Sequence, residues 1–87
     1  MPYVNQQARG RLWSGVPACT PGELNFVITE LISDYTERKG LSYEAINEVI
    51  GVLECAKQEF YARVARPYED AKCKTNGDVY DERILTL

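Results

Sequence analysis

Several residue types are missing or scarce in this chain of 87 residues, and each absence excludes a kind of chemistry. There is no histidine, and the three cysteines form no C-x-x-C pair. Catalytic triads that use histidine as the base are therefore excluded. A zinc site would have to combine scattered thiolates with a carboxylate, so we expect no metal, no cofactor and no enzymatic activity. The odd, unpatterned cysteines also favour a reducing compartment over a disulfide-bonded secreted scaffold.

Long apolar runs are also missing. No segment approaches the roughly 20 apolar residues that cross a bilayer, and the N-terminal sequence MPYVNQQARG lacks the hydrophobic core of a signal peptide. We therefore expect a soluble cytoplasmic protein with no membrane partner. The net charge of −3 is not the basic balance typical of proteins that bind nucleic-acid polymers.

Helical periodicity is the main feature that is present. Residues 42–75 carry apolar side chains at steps of three and four, which predicts a long amphipathic helix, helix B. Its apolar stripe comprises Ile46, Val49, Ile50, Leu53, Ala56, Phe60 and Val64. Residues 21–39 predict helix A, which Thr20 and Pro21 begin and Gly40 ends. Its apolar stripe comprises Leu24, Val27, Ile28, Leu31, Ile32 and Tyr35. Because the linker is very short, we expect helices A and B to form an antiparallel hairpin.

The predicted fold is a single all-α domain over residues 1–87. An arm over residues 1–20 holds a short helix near residues 3–13, and a tail over residues 78–87 follows helix B. The tail either lies across the bundle or is disordered. Pro67 removes a backbone donor inside helix B, which predicts a kink or break over residues 64–66.

A few apolar residues lie off the two stripes, which predicts a homo-oligomeric bundle in which they form the interface. These interface candidates are Trp13, Phe26 and Val52. The alternative is burial by the N-terminal arm within one chain. Lys57 falls inside the stripe of helix B, where it either snorkels at the edge, pairs with an acid across an interface, or points into a ligand cavity.

Basic and aromatic residues near one end of the predicted hairpin suggest a site for an anionic ligand. Arginine binds phosphate through two charge-assisted bonds, and a helix N-terminus also favours anions. The ligand-binding candidates are Arg9, Arg11, Tyr61, Arg63, Arg66, Tyr68 and Lys72. The alternative is that Arg63 pairs with Glu59, Arg66 pairs with Asp70, and the tyrosines pack.

Four segments carry a family resemblance. They are GELNFVITELI, IGVLECAKQEFY, PYEDAK and NGDVY. Together they resemble a family of short uncharacterised proteins found in phages, prophages and metagenomes, classed as a domain of unknown function. The resemblance implies a phage or prophage setting and an all-helical fold, and it brings no established activity or site residues.

The small size of the chain, its implied phage setting and its charge placement suggest a function by analogy with small helical phage proteins that bind nucleotide immune signals. We expect a small oligomer that sequesters a cyclic nucleotide or an ADP-ribose-derived signal without chemistry and so blunts defence in an infected bacterial host. The alternative is a protein–protein inhibitor or adaptor of a host or defence protein. A metal-dependent nucleotide hydrolase is more remote, because Glu54 and Glu59 are five residues apart and diverge on a helix.

Overall fold

The computed structural model describes residues 4–87, and every regular element in that range is helical. The elements are α1 (Gln6–Trp13), α2 (Pro21–Lys39), α3 (Tyr43–Phe60), a π-helical turn (Tyr61–Ala65), α4 (Arg66–Asn76) and α5 (Glu82–Leu85). The all-α prediction is confirmed. Residue 3, where the predicted N-terminal helix started, lies outside the described residues.

Short polar side chains begin the first three helices. The Oδ1 atom of Asn5 accepts a hydrogen bond of 2.8 Å from the amide of Ala8 at the start of α1. The Oγ1 atom of Thr20 accepts one of 3.1 Å from the amide of Glu23 at the start of α2. Ser42 caps α3 in the same way. Each bond satisfies an amide that has no partner within the helix, and the first three helices begin at Gln6, Pro21 and Tyr43.

The turn between α2 and α3 combines a glycine with a polar cluster. Gly40 has a φ of 85°, in the region that side chains rarely adopt, and it ends α2. The Tyr35 hydroxyl donates a hydrogen bond of 2.6 Å to Glu48. The Lys39 ammonium lies 3.4 Å from Glu48 and 3.9 Å from Glu44. These contacts join the end of α2 to the beginning of α3.

The segment Tyr43–Asn76 is helical throughout, and its irregularity lies directly before Pro67. There the amide of Arg66 donates to the carbonyl of Tyr61, five residues back. Proline has no amide to donate, and its ring clashes with the carbonyl four residues earlier in a regular α-helix. A wider π-helical turn accommodates that ring. The helix is therefore not broken at residues 64–66, and the predicted disturbance takes the form of this π turn.

The chain divides into two compact units, and the boundary falls inside α3 between Val49 and Ile50. The core of the first unit consists of Val4, Ala8 and Phe26, with Leu12 packed against it. α1 packs against α2 at this core. A single domain and an antiparallel hairpin of the two long helices remain predictions.

The face of α2 that the first unit buries matches the predicted stripe only in part, since Val27, Ile28 and Ile32 are half-buried. Phe26, which lies off that stripe, is only 9% exposed, whereas Leu31 on the stripe is 67% exposed. Leu24 on the same stripe is also exposed. The reason is that Val4, which precedes α1, and Ala8 of α1 pack on the Phe26 side of α2. For Phe26, the alternative of burial by the N-terminal arm describes the structure.

The tail forms a turn and a short last helix. Gly77, with a φ of 87°, ends α4, and the carboxylate of Asp81 caps α5. Val79 is 93% exposed, and Ile84 and Leu85 are also exposed. Packing of the tail across a bundle would bury these side chains in a core, and they are not buried in one.

Candidate functional site

The beginning of α2 already holds an anion, the carboxylate of Glu23. This side chain is 9% exposed, and its Oε1 atom accepts a hydrogen bond of 2.8 Å from the amide of Cys19. Its Oε2 atom lies 3.3 Å from the guanidinium of Arg11. A carboxylate here is stabilised by the helix dipole and by free amides. Glu23 therefore occupies the place that the sequence suggested for a ligand's anionic group.

Arg9 is also engaged within the first unit. Its Nε atom donates a hydrogen bond of 3.0 Å to the carbonyl of Val4. Its guanidinium lies 5.3 Å from the centre of the Phe26 ring, a cation–π contact. The Trp13 ring contacts the same ring, with 6.0 Å between centroids. Arg9 and Arg11 thus have structural partners that hold the N-terminal arm on α2.

A small cavity of about 210 Å³ lies beside this arm in the first unit. Its lining residues are Leu12, Trp13, Phe26, Val27, Glu30, Leu31 and Asp34. Trp13 was predicted at an oligomer interface and is 61% exposed. The Trp13 ring contacts the Phe26 ring on one side and lines this cavity on another.

The second unit contains a larger groove of about 450 Å³ where α4 meets the turn that follows it. Its lining residues are Tyr61, Arg66, Tyr68, Glu69, Asp70, Lys72, Cys73, Asn76, Gly77, Asp78, Val79 and Tyr80. We call this cavity the tyrosine groove. Four of the seven predicted ligand-binding residues line it, namely Tyr61, Arg66, Tyr68 and Lys72.

Two cation–aromatic pairs stand in the tyrosine groove. The guanidinium of Arg66 lies 5.7 Å from the centre of the Tyr61 ring. The ammonium of Lys72 lies 5.5 Å from the centre of the Tyr68 ring. Such contacts hold a flexible cation beside an aromatic face, where both can meet the same ligand.

Acids outnumber bases in the tyrosine groove. Arg66 and Lys72 face three carboxylates, those of Glu69, Asp70 and Asp78. The formal charge of the lining is therefore −1, so the groove lacks the electropositive character expected from sequence. A ligand with several uncompensated negative charges would meet repulsion here.

Neighbouring groups in the tyrosine groove keep the Tyr61 phenol and the Cys73 thiol protonated. Hydrogen bonding to Glu69, the charge of that carboxylate and partial burial raise the pKa of Tyr61. Burial, followed by a hydrogen bond and charge from Asp78, raises the pKa of the Cys73 thiol. The thiolate is the reactive form of cysteine, so this environment suppresses its nucleophilicity.

Arg63 lies on the same helical segment but does not line the groove. Its guanidinium pairs with Glu59 at 3.8 Å, as the alternative interpretation of the sequence stated. Asp78 and Tyr80 are groove residues that sequence reasoning missed. The Asn76-Gly77 pair was the available signal, since a helix that ends at glycine allows the chain to turn back. The amide of Tyr80 then bonds to the Asp78 carboxylate at 2.9 Å.

The fold and the groove define an all-helical protein with an aromatic, mixed-charge cavity beside a helix end. The chain belongs to a protein family described as a domain of unknown function (DUF6899), whose profile matches residues 1–79. Comparisons with curated proteins and with solved structures gave no significant match. Among residues 4–87, no helix is both long and apolar enough to cross a membrane.

Proposed function

We propose that this protein is a non-catalytic binding protein that holds a nucleotide-derived ligand in the tyrosine groove. The observation that carries the proposal is the presence of two cation–aromatic pairs, Arg66 with Tyr61 and Lys72 with Tyr68, in one cavity of about 450 Å³. Cavities that bind small molecules usually measure about 300–1,000 Å³. The groove is therefore large enough for a nucleotide.

Different residues of the groove lining suit different parts of such a ligand. The tyrosine rings offer faces on which a base stacks. Arg66 and Lys72 offer charge-assisted hydrogen bonds to phosphate oxygens. Glu69, Asp70 and Asp78 are acceptors for ribose hydroxyls and for amino groups of a base. Because these acids outnumber the bases, the proposed ligand carries few phosphates, as cyclic nucleotides and cyclised ADP-ribose compounds do.

Sequestration rather than turnover is the proposed role. The raised pKa of Cys73 leaves the groove without a ready thiolate nucleophile. A protein that binds a signal tightly and keeps it intact lowers the free signal concentration without any reaction. In the phage setting that the sequence resemblance implies, such binding by a homo-oligomer in the host cytoplasm blunts a nucleotide-dependent defence.

Calorimetric titration with cyclic dinucleotides, cyclic trinucleotides and cyclised ADP-ribose compounds tests the proposal. At least one class is expected to bind below about 10 μM, which corresponds to about 7 kcal/mol of binding free energy. Arg66→Ala and Lys72→Ala are each expected to weaken binding about tenfold or more, because each removes a charge-assisted bond worth about 1.5–3 kcal/mol.

Arg63→Ala is the matched control, since this arginine pairs with Glu59 and lies outside the groove lining. It removes the same charge from the same helical segment and is expected to bind as the parent protein does. No binding by any compound, or equal loss in the control and in Arg66→Ala, would refute a site in the groove. Recovery of unchanged ligand after denaturation distinguishes sequestration from hydrolysis.

A second candidate function is inhibition or scaffolding of another protein. The exposed apolar face of α2 favours it, because Leu24 and Leu31 are 55% and 67% exposed. If none of the nucleotide compounds binds while a purified defence protein protects the amides of α2 from hydrogen exchange, this function replaces the first. Unchanged exchange of α2 in the presence of such proteins counts against it.

A further inference from the structure

The second unit displays a regular apolar stripe along α3. Ile50, Leu53 and Phe60 are 60%, 41% and 63% exposed. Their spacing, completed by Lys57, follows the alternating steps of three and four that define a coiled-coil seam. We call these four residues the α3 seam. Scattered exposed apolar residues are common on proteins, but a seam of this spacing marks a surface that packs against another helix.

We propose that the α3 seam binds the α3 seam of a second copy of this chain in antiparallel orientation. In this pairing Ile50 lies opposite Phe60 of the other copy, and Leu53 lies opposite Lys57 of the other copy. Two-fold symmetry repeats both pairs, which gives four layers. The proposal shares with the proposed function only the expectation of self-assembly and does not depend on the tyrosine groove.

Charge along the helix supports the antiparallel orientation. Residues 43–52 contain two acids, Glu44 and Glu48, and no base. Residues 58–67, which lie opposite them in the proposed register, contain Arg63 and Arg66 against one acid. Antiparallel pairing places the acidic half of one helix beside the more basic half of the other. Parallel pairing places the two acidic halves side by side, and like charges in register are destabilising.

Lys57 supports the proposed register. Its ammonium pairs with Glu54 of the same chain at 3.7 Å, and its side chain is 75% exposed. In the proposed register its methylene stem packs on Leu53 of the other copy while the charge stays at the edge beside Glu54. A parallel dimer would set Lys57 against Lys57. A single polar residue in an apolar seam is a known device for fixing orientation at some cost in stability.

The π-helical turn limits the seam at its C-terminal end. Regular helical geometry ends at Phe60, and residues 61–65 follow a wider turn. Side chains beyond Phe60 are therefore rotated away from the heptad positions. Because the seam is short, we expect a dimer that forms at micromolar rather than nanomolar concentration.

The first experiment measures mass by analytical ultracentrifugation of the full chain at tens of micromolar. The expected mass is twice the 9.9 kDa of one chain. Phe60→Asp is expected to give the monomer, because it places a carboxylate in the seam. Val52→Asp is the matched control and is expected to leave the dimer intact, since Val52 is 66% exposed on the same helix but lies off the seam. The proposed pairing therefore excludes Val52, which the sequence suggested as an interface residue.

The second experiment determines orientation by disulfide formation in a background with all three native cysteines replaced by serine. A mixture of Ile50→Cys and Phe60→Cys chains is expected to give the mixed disulfide, and Ile50→Cys alone is expected to give no cross-linked product. Cross-linking of Ile50→Cys with itself would establish parallel pairing and overturn the proposal. A monomeric parent chain, or a dimer unaffected by Phe60→Asp, would overturn it as well. Helical circular dichroism of each variant verifies that it folds.

Discussion

Replacing Phe26 by alanine is expected to detach the N-terminal arm from α2 rather than to divide an oligomer. The ring is 9% exposed and belongs to a core of three residues, with Val4 and Ala8 as its partners. It also contacts Trp13 and the guanidinium of Arg9. The other two core side chains, Val4 and Ala8, are small, so the substitution removes most of the apolar volume of that core.

The magnitude follows from burial. A buried phenylalanine removes about 150–250 Å² from water, which at about 25 cal/mol per Å² corresponds to about 4–6 kcal/mol as an upper limit. Alanine retains part of that area, and measured Phe→Ala losses in protein cores are about 3–5 kcal/mol. Because the Phe26 site lies near the surface of a small core, we expect about 3 kcal/mol. This is a large share of the stability of a small domain.

The chain carries its own reporter for this loss. Trp13 is the single tryptophan, and its ring lies 6.0 Å from the Phe26 ring. Phe26→Ala is expected to shift tryptophan emission to longer wavelength and to lower the urea midpoint followed by that emission. Leu31→Ala is the control, since Leu31 is 67% exposed, and it is expected to change stability by less than about 0.5 kcal/mol. Equal effects of the two substitutions would show that the Phe26 core is not what holds the arm.

Three further predictions concern pH, metal and the groove. Hydrogen bonding from Tyr35 is the main cause that lowers the pKa of Glu48, and Lys39 adds to it. The ionised Glu48 carboxylate therefore stabilises the folded protein above the ordinary pKa of glutamate, and this stabilisation is lost as pH falls through the lowered pKa of Glu48. Acid titration of thermal stability is expected to show this loss in the parent chain and not in Glu48→Gln, and identical profiles would contradict it. EDTA with a reductant is expected to leave helical circular dichroism and the melting temperature unchanged, because no disulfide or metal is expected to support folding; a drop of several degrees would refute this. Tyr68→Ala is expected to weaken nucleotide binding in the titrations while sparing the melting temperature, since the ring is 64% exposed, and unchanged affinity would remove it from the site.

Part of the candidate site follows from sequence and part does not. Tyr61, Arg66, Tyr68 and Lys72 lie within twelve residues of one helical segment, so a local pattern groups them. Asp78 and Tyr80 enter the groove only because the chain turns after Gly77. The mixed charge of the lining depends on that turn, and no helical periodicity encodes it.

The sequence by itself determined where the helices begin and end. Asn5, Thr20 and Ser42 each bond an amide three residues ahead, and Gly40 and Gly77 end helices with their own backbone angles. These interactions are local, so a short stretch of sequence specifies them.

Only the tertiary structure decided which faces are buried. The apolar stripe of α2 predicted burial of Leu31, but α1 packs on the opposite side and buries Phe26. Periodicity shows that a helix has an apolar face, and it does not show which neighbour covers that face or whether a second chain does. The same holds at Pro67, where the sequence indicates a disturbed helix, and the three-dimensional structure shows that one π-helical turn accommodates the proline without a break.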